Sequence, residues 1–310
     1  MRCWFAISFF VALPAAALSN RVFVASSGID VGTCTITAPC RSFSYGMTQV
    51  APAGEVIALD TAGYGVFAIG QSVSVVAAPG ATAFIAVGSG GTGIDIEANP
   101  TDVIVLRGLA LSSAGGSFGI LFQIGASLAV ENCVINGFQN NGVFRNRLND
   151  TSNPSIRIEN STIRNNYYGV YTISAGTGVV GLTIVRSRIN DNSIGLFASD
   201  NTRAAVSDTT LSGNFTAVES ATANDNSTPQ LSLVRCTIAQ NEIALSAGLN
   251  IGQNPHGVIR IAHNLITANN TAINENPDGK IMTMTSAGTA TNVIEGNLNH
   301  ETVANTYNAK

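Results

Sequence analysis

Ser155-Ile156-Arg157-Ile158-Glu159-Asn160-Ser161-Thr162-Ile163-Arg164-Asn165-Asn166-Tyr167-Tyr168-Gly169-Val170 is the stretch that decides the fold, because its grammar recurs along the chain. Gly181-Leu182-Thr183-Ile184 runs through Ser187, Ile189 and Asn192 to Gly195-Leu196. Ala204-Ala205-Val206 leads to Thr209, Leu211, Asn214 and Ala217-Val218, and Leu231-Ser232-Leu233 to Cys236, Ile238, Asn241 and Ala244-Leu245. Ile259-Arg260-Ile261 leads to Asn264, Ile266, Asn269 and Ala272-Ile273. Upstream, Leu128-Ala129-Val130 precedes Cys133, Ile135 and Gly142-Val143, and Ile104-Val105-Leu106 precedes Leu111 and Gly119-Ile120.

The equivalents of Ile158 (Leu106, Val130, Ile184, Val206, Leu233 and Ile261) are spaced by 22 to 28 residues. Each unit holds three short apolar runs of period two separated by Asn, Gly and Ser turns, the signature of strands with one buried face. A variable period means that turns absorb the length changes while strands keep register. Three strands in such a period fit one turn of a parallel β-helix; a propeller blade needs about 40 residues. Asn166, Asn192, Asn214, Asn241 and Asn269 share one repeat position. Asn tolerates left-handed backbone and bonds its own turn, and stacked copies can form a hydrogen-bonded ladder.

Composition agrees with a strand-rich solenoid. Asparagine numbers 31, of which 29 follow residue 130. Charged residues are 11% of the 310-residue chain and hydrophobic residues 45%, enough apolar content for a core rather than disorder. A net charge of −4 and only two lysines argue against nucleic-acid binding, which needs clustered cations. No apolar run of membrane-spanning length follows the N-terminus. Residues 1–19 read as a signal peptide: Arg2 is the positive segment, Cys3 to Leu13 the apolar one, and Ala15-Ala16-Ala17-Leu18-Ser19 the cleavage region. Export to an oxidising compartment and the short separation of Cys34 and Cys40 predict a local disulfide. Cys133 and Cys236 occupy one repeat position four coils apart, about 19 Å at 4.8 Å per coil, which predicts free thiols.

On these repeats the chain resembles the bacterial right-handed parallel β-helix proteins of the pectate-lyase-like superfamily, over roughly residues 21–297. Val22-Phe23-Val24-Ala25, the Cys34–Cys40 segment, Arg41-Ser42-Phe43 and Gly54-Glu55-Val56-Ile57 resemble a recurrent N-terminal module of such proteins. The predicted fold is all-β: a right-handed solenoid of about nine or ten coils with an N-terminal helical cap. Residues 20–55 form the cap, 56–297 the β-helix and 298–310 a polar tail. Phe43, Met47 and Val50 at i, i+4 and i+7 predict a short amphipathic helix before Pro52.

Solenoid geometry turns repeat position into proximity. If Ile156 and Ile158 point inward, Arg157 and Glu159 point outward with Glu131 one coil away. Two carboxylates about 5 Å apart beside an arginine suit acid–base chemistry or cation binding; the resemblance adds lyases with acidic calcium ligands and a basic residue. The opposing reading is a solvated surface. Asp208 between Arg186 and Arg235 predicts a surface ion-pair ladder. In the column after the Gly-Val pair, Phe144, Tyr171 and Phe197 predict an outward aromatic stripe about 10 Å long, suited to the apolar faces of sugars, unless residues 147–154 and 174–180 cover it.

The expected function is a secreted or periplasmic, non-catalytic protein that binds polysaccharide or cell-envelope glycan through Phe144, Tyr171 and Phe197. The alternative is a polysaccharide lyase or hydrolase using Glu131, Glu159 and Arg157, and a third class is a structural adhesin. No cofactor or metal is expected, calcium entering only with a lyase. The expected partner is a glycan, with no nucleic acid and no membrane insertion, and the protein is expected to be a monomer.

Overall fold

The structure, a computed structural model, describes residues 18–148, 151–222, 227–248, 256–276, 278–284, 292–299, 303 and 305–307. Most of the predicted signal peptide lies outside them. Three parallel sheets of twelve, nine and ten strands run the length of a β-solenoid, close to the predicted number of coils. Each repeat supplies one strand to each sheet. Ser155–Glu159 enters the twelve-stranded sheet, Thr162–Arg164 the ten-stranded and Tyr168–Ala175 the nine-stranded. Register follows the repeat: Ile158 pairs with Ile184, Ile184 with Val206, Val206 with Leu233 and Leu233 with Ile261.

The inward columns form the core. Ile158, Ile184, Val206, Leu233 and Ile261 are buried, as are Ile163, Ile189, Leu211, Ile238 and Ile266. Residue pairs stack at the interstrand spacing of about 4.8 Å, so each side chain packs on its equivalents above and below.

Two of the three corners obey one rule: a residue with positive φ, then a buried polar side chain. At the first corner Asn132, Asn160, Arg186, Asp208, Arg235 and His263 have φ between 48° and 57°. Serine, threonine or asparagine follows at 161, 187, 209 and 264, with Cys133 and Cys236 in the same column. At the second corner Asn165, Asp191, Gly213, Gln240 and Ala268 have φ between 55° and 68°, and the Asn166 column follows. The Asn166 column is therefore not the left-handed position; its preceding residue is. The asparagines are chosen for the ladder. Asn214 Oδ1 accepts from the backbone N–H and Nδ2 of Asn192, both at 3.0 Å, while Asn214 N and Nδ2 donate to Asn241 Oδ1 at 2.9 and 3.1 Å. The same pattern joins Asn166 to Asn192, Asn241 to Asn269 and Asn269 to Asn297. Each buried corner N–H that no strand serves is paired here, as burial requires. From Ile158 onward both corners keep their length, so the variation in repeat length falls at the third. There Tyr168–Ala175 connects to Val180–Val185, but Ile194–Ser199 to Thr202–Ser207 by only two residues.

At the N-terminus a seven-residue helix, Phe43–Gln49, forms with Ser42 as N-cap. Phe43 is buried against Tyr64 and Phe67, with ring centroids at 5.0 Å in both cases. Cys34 and Cys40 are joined by a disulfide, while Cys133 and Cys236 are free and buried. The twelve-stranded sheet extends past the predicted limits of the β-helix at both ends. Ser19–Val24 pairs with Val50–Ala58, and Asn305–Tyr307 with Gly279–Met284. An open sheet edge recruits any extended segment within reach, which is how residues predicted as cap and tail join the ladder.

Candidate functional site

On the outer face of the twelve-stranded sheet, Glu131 and Glu159 are register neighbours and Arg157 lies beside them, as the repeat predicts. Their charges are already matched. Arg157 Nε donates to Glu159 Oε2 at 2.9 Å and Arg186 reaches Glu159 Oε1, while Arg107 holds Glu131 Oε2 at 2.7 Å. Arg186 turns to Glu159 rather than Asp208, so the predicted three-member ladder reduces to a bidentate Arg235–Asp208 pair at 2.7 and 2.9 Å. Exposed pairs of this kind contribute little stability. Calcium takes six to eight oxygen ligands. Both carboxylates here face guanidinium groups, and among the described residues no group of three or more His, Cys, Asp or Glu could hold a metal. These residues do not fit a calcium ion.

The outer face of the nine-stranded sheet is different. Phe144, Tyr171 and Phe197 are register neighbours on three coils, and the sequence brings them together as predicted. Their faces, however, are turned toward one another. Phe144 and Tyr171 stack at 5.1 Å and 25°, Tyr171 and Phe197 at 4.8 Å and 19°. Phe118 extends the stack beyond Phe144 at 5.6 Å, and Tyr168 lies 4.9 Å from Tyr171. Side chains on adjacent parallel strands share one rotamer and meet face to face at the strand spacing, so the inner rings spend their π-faces on each other. Phe197 is buried and Tyr171 half-buried. Burial pushes the Tyr171 phenol up to about 12.

Beyond Phe197 the same column turns polar: Glu219 pairs with Phe197, Ser246 with Glu219, and Asn274 with Ser246. Glu219 is only 5% exposed. Desolvation alone pushes its carboxyl up to about 7, and no donor among the described residues reaches its oxygens. Glu219, Ser246 and Asn274 lie in an open cleft of about 390 Å³ that is also lined by Ile194, Thr216, Ile243 and Asn276. Two rings complete the lining: Tyr167, 52% exposed, and Phe215, 63% exposed. They stand two coils apart in one column with Ser193 between them, about 10 Å at the coil spacing. An uncompensated buried carboxylate in a cleft is costly to fold around and marks a candidate site. The signal available in the sequence was the switch from rings to a lone acid after Phe197 in this column.

The three-sheet parallel solenoid gives the chain a pectate-lyase-like β-helix fold. In a structure search the chain is similar to the crystal structure of pectate lyase Pel9A, with a TM-score of 0.53 and 15% identity over 84% of this chain and 79% of that one. At that identity the likeness concerns the fold. No protein-family model and no curated protein sequence matches the chain.

Proposed function

We propose that this protein is exported and binds a polysaccharide, without cleaving it, in the cleft on the nine-stranded face. The observation that carries the reading is the cleft itself, with the exposed rings of Tyr167 and Phe215 beside the polar row Glu219–Ser246–Asn274. Pyranose rings present apolar C–H faces and a rim of hydroxyls, and this lining offers both kinds of contact. The stack of Phe144, Tyr171 and Phe197 lies outside the lining, and its last ring, Phe197, flanks Glu219 in the column. Among the described lining residues Glu219 is the one carboxylate, whereas glycoside hydrolysis generally employs two. Export is supported by the signal-like N-terminus and the Cys34–Cys40 disulfide. Among the described residues no helix is long and apolar enough to cross a membrane. The helix Phe43–Gln49 covers the first coil as a cap.

The test is a panel of neutral, acidic and basic polysaccharides read for both retention and product release. Wild-type protein should retain at least one glycan and release nothing. Tyr167→Ala and Phe215→Ala should each weaken retention by about fivefold to tenfold, the loss expected when an exposed aromatic anchor is truncated. Chelator-sensitive cleavage of any glycan, or binding indifferent to both substitutions, overturns the reading.

A further inference from the structure

Glu219 is more than nine-tenths buried and lines the cleft, yet no described group neutralises it. The surrounding side chains are the ring of Phe197 on one side and the Ser246 hydroxyl on the other. Tyr171 and Tyr168 lie close enough for Glu219 to raise their phenol pKa values, though burial is the larger cause. Among the described residues no lysine or arginine lines the cleft. A ligand with its own carboxylate would set like charges together in a poorly hydrated space. A neutral sugar would leave the charged form of Glu219 without a counter-charge. A cation would discharge it, and the neighbouring aromatic rings favour a cation as well.

We propose that the cleft selects a cationic amino sugar, its ammonium group paired with the Glu219 carboxylate, its apolar face against Tyr167 and Phe215, and its hydroxyls on Ser246 and Asn274. The proposal rests on the glycan-binding reading above and narrows it to a substrate class. Asn274 Nδ2 lies 3.4 Å from Ser246 Oγ, so these two groups are already oriented as a pair along the cleft. Acidic polyuronates are the glycans this site should reject.

The experiment is titration calorimetry near neutral pH with three soluble oligomers of equal length: glucosamine, N-acetylglucosamine and galacturonate. Wild-type protein should bind the glucosamine oligomer at least about tenfold more tightly than the N-acetylated one and show no uptake of galacturonate. Glu219→Gln should weaken glucosamine binding about thirtyfold or more, as loss of one partner of a buried charge pair does, and so abolish the preference over the N-acetylated oligomer. A melting curve will show that the variant is folded, and removal of a desolvated charge should leave it no less stable. Equal or tighter binding of the N-acetylated oligomer, preference for galacturonate, or an unchanged glucosamine affinity in Glu219→Gln overturns the proposal. In those cases loss of the observed binding in Phe215→Ala preserves the glycan-binding reading. Absence of binding by all three oligomers and by the whole polysaccharide panel overturns both.

Discussion

Glu219 makes the stability of the unliganded protein depend on pH in a direction opposite to most carboxylates. Its carboxyl moves from 4.5 to about 7 on folding because burial removes water from the charged form. The native state therefore keeps a proton that the unfolded chain has lost between these values. Stability is fully present below about 4.5 and falls as pH rises through about 7. At about 1.36 kcal/mol per pH unit the loss amounts to about 3 kcal/mol. Hydrogen bonds from Ser26 to Asp60 and from Arg235 to Asp208 hold those two carboxyls low, and their effect has the opposite sign and lies at lower pH. Comparison of wild type with Glu219→Gln removes such common terms. Urea unfolding of both proteins from pH 5 to pH 8 should show the variant gaining on wild type by about 2.5 kcal/mol across the range. Parallel curves for the two proteins would refute the reasoning, because they would mean that Glu219 is hydrated and titrates normally.

Four other outcomes follow from the core and its ladders. Ile184→Ala should cost about 2–5 kcal/mol by lost burial and a cavity, measured by the same unfolding assay; Ile184 is fully buried. Asn214→Ala should cost about 2–4 kcal/mol, because it strands the corner N–H of Asn192 and removes the Nδ2 donor to Asn241 Oδ1. Burial pushes the thiols of Cys133 and Cys236 up to about 11. Alkylating reagent should therefore leave both unmodified in native protein and label them after unfolding, read by intact mass. Cys133→Ser should stay within about 1 kcal/mol of wild type, since Ser161 and Ser187 occupy that column in the next two coils.

Much of this molecule was legible in one dimension. Inward and outward alternation, coil register and the distance between Cys133 and Cys236 all follow from aligning Ile158 with Ile184 and Val206. A strand has a period of two and a solenoid stacks equivalents at one spacing, so the aligned repeat is already a contact map. The aromatic column was visible for the same reason. Alignment says which residues are neighbours, but it does not say how their side chains share space. Phe144, Tyr171 and Phe197 met as predicted, then turned their faces to each other. Glu131 and Glu159 also met, and Arg107, Arg157 and Arg186 took their charge.

The sequence by itself determined the all-β solenoid, its register and its buried ladders, because each depends on local pattern repeated at a constant stacking distance, and the pairing of Cys34 with Cys40, because the two lie six residues apart. Only the tertiary structure decided which corner residue carries the left-handed backbone, which rings remain exposed and which acid is left without a partner. Those outcomes depend on burial and on competition among several neighbours for the same space. Glu219 is one of many outward acids until Phe197, Phe215 and Ser246 surround it; desolvation, a property of the assembled surface, then makes it the distinctive group of the candidate site.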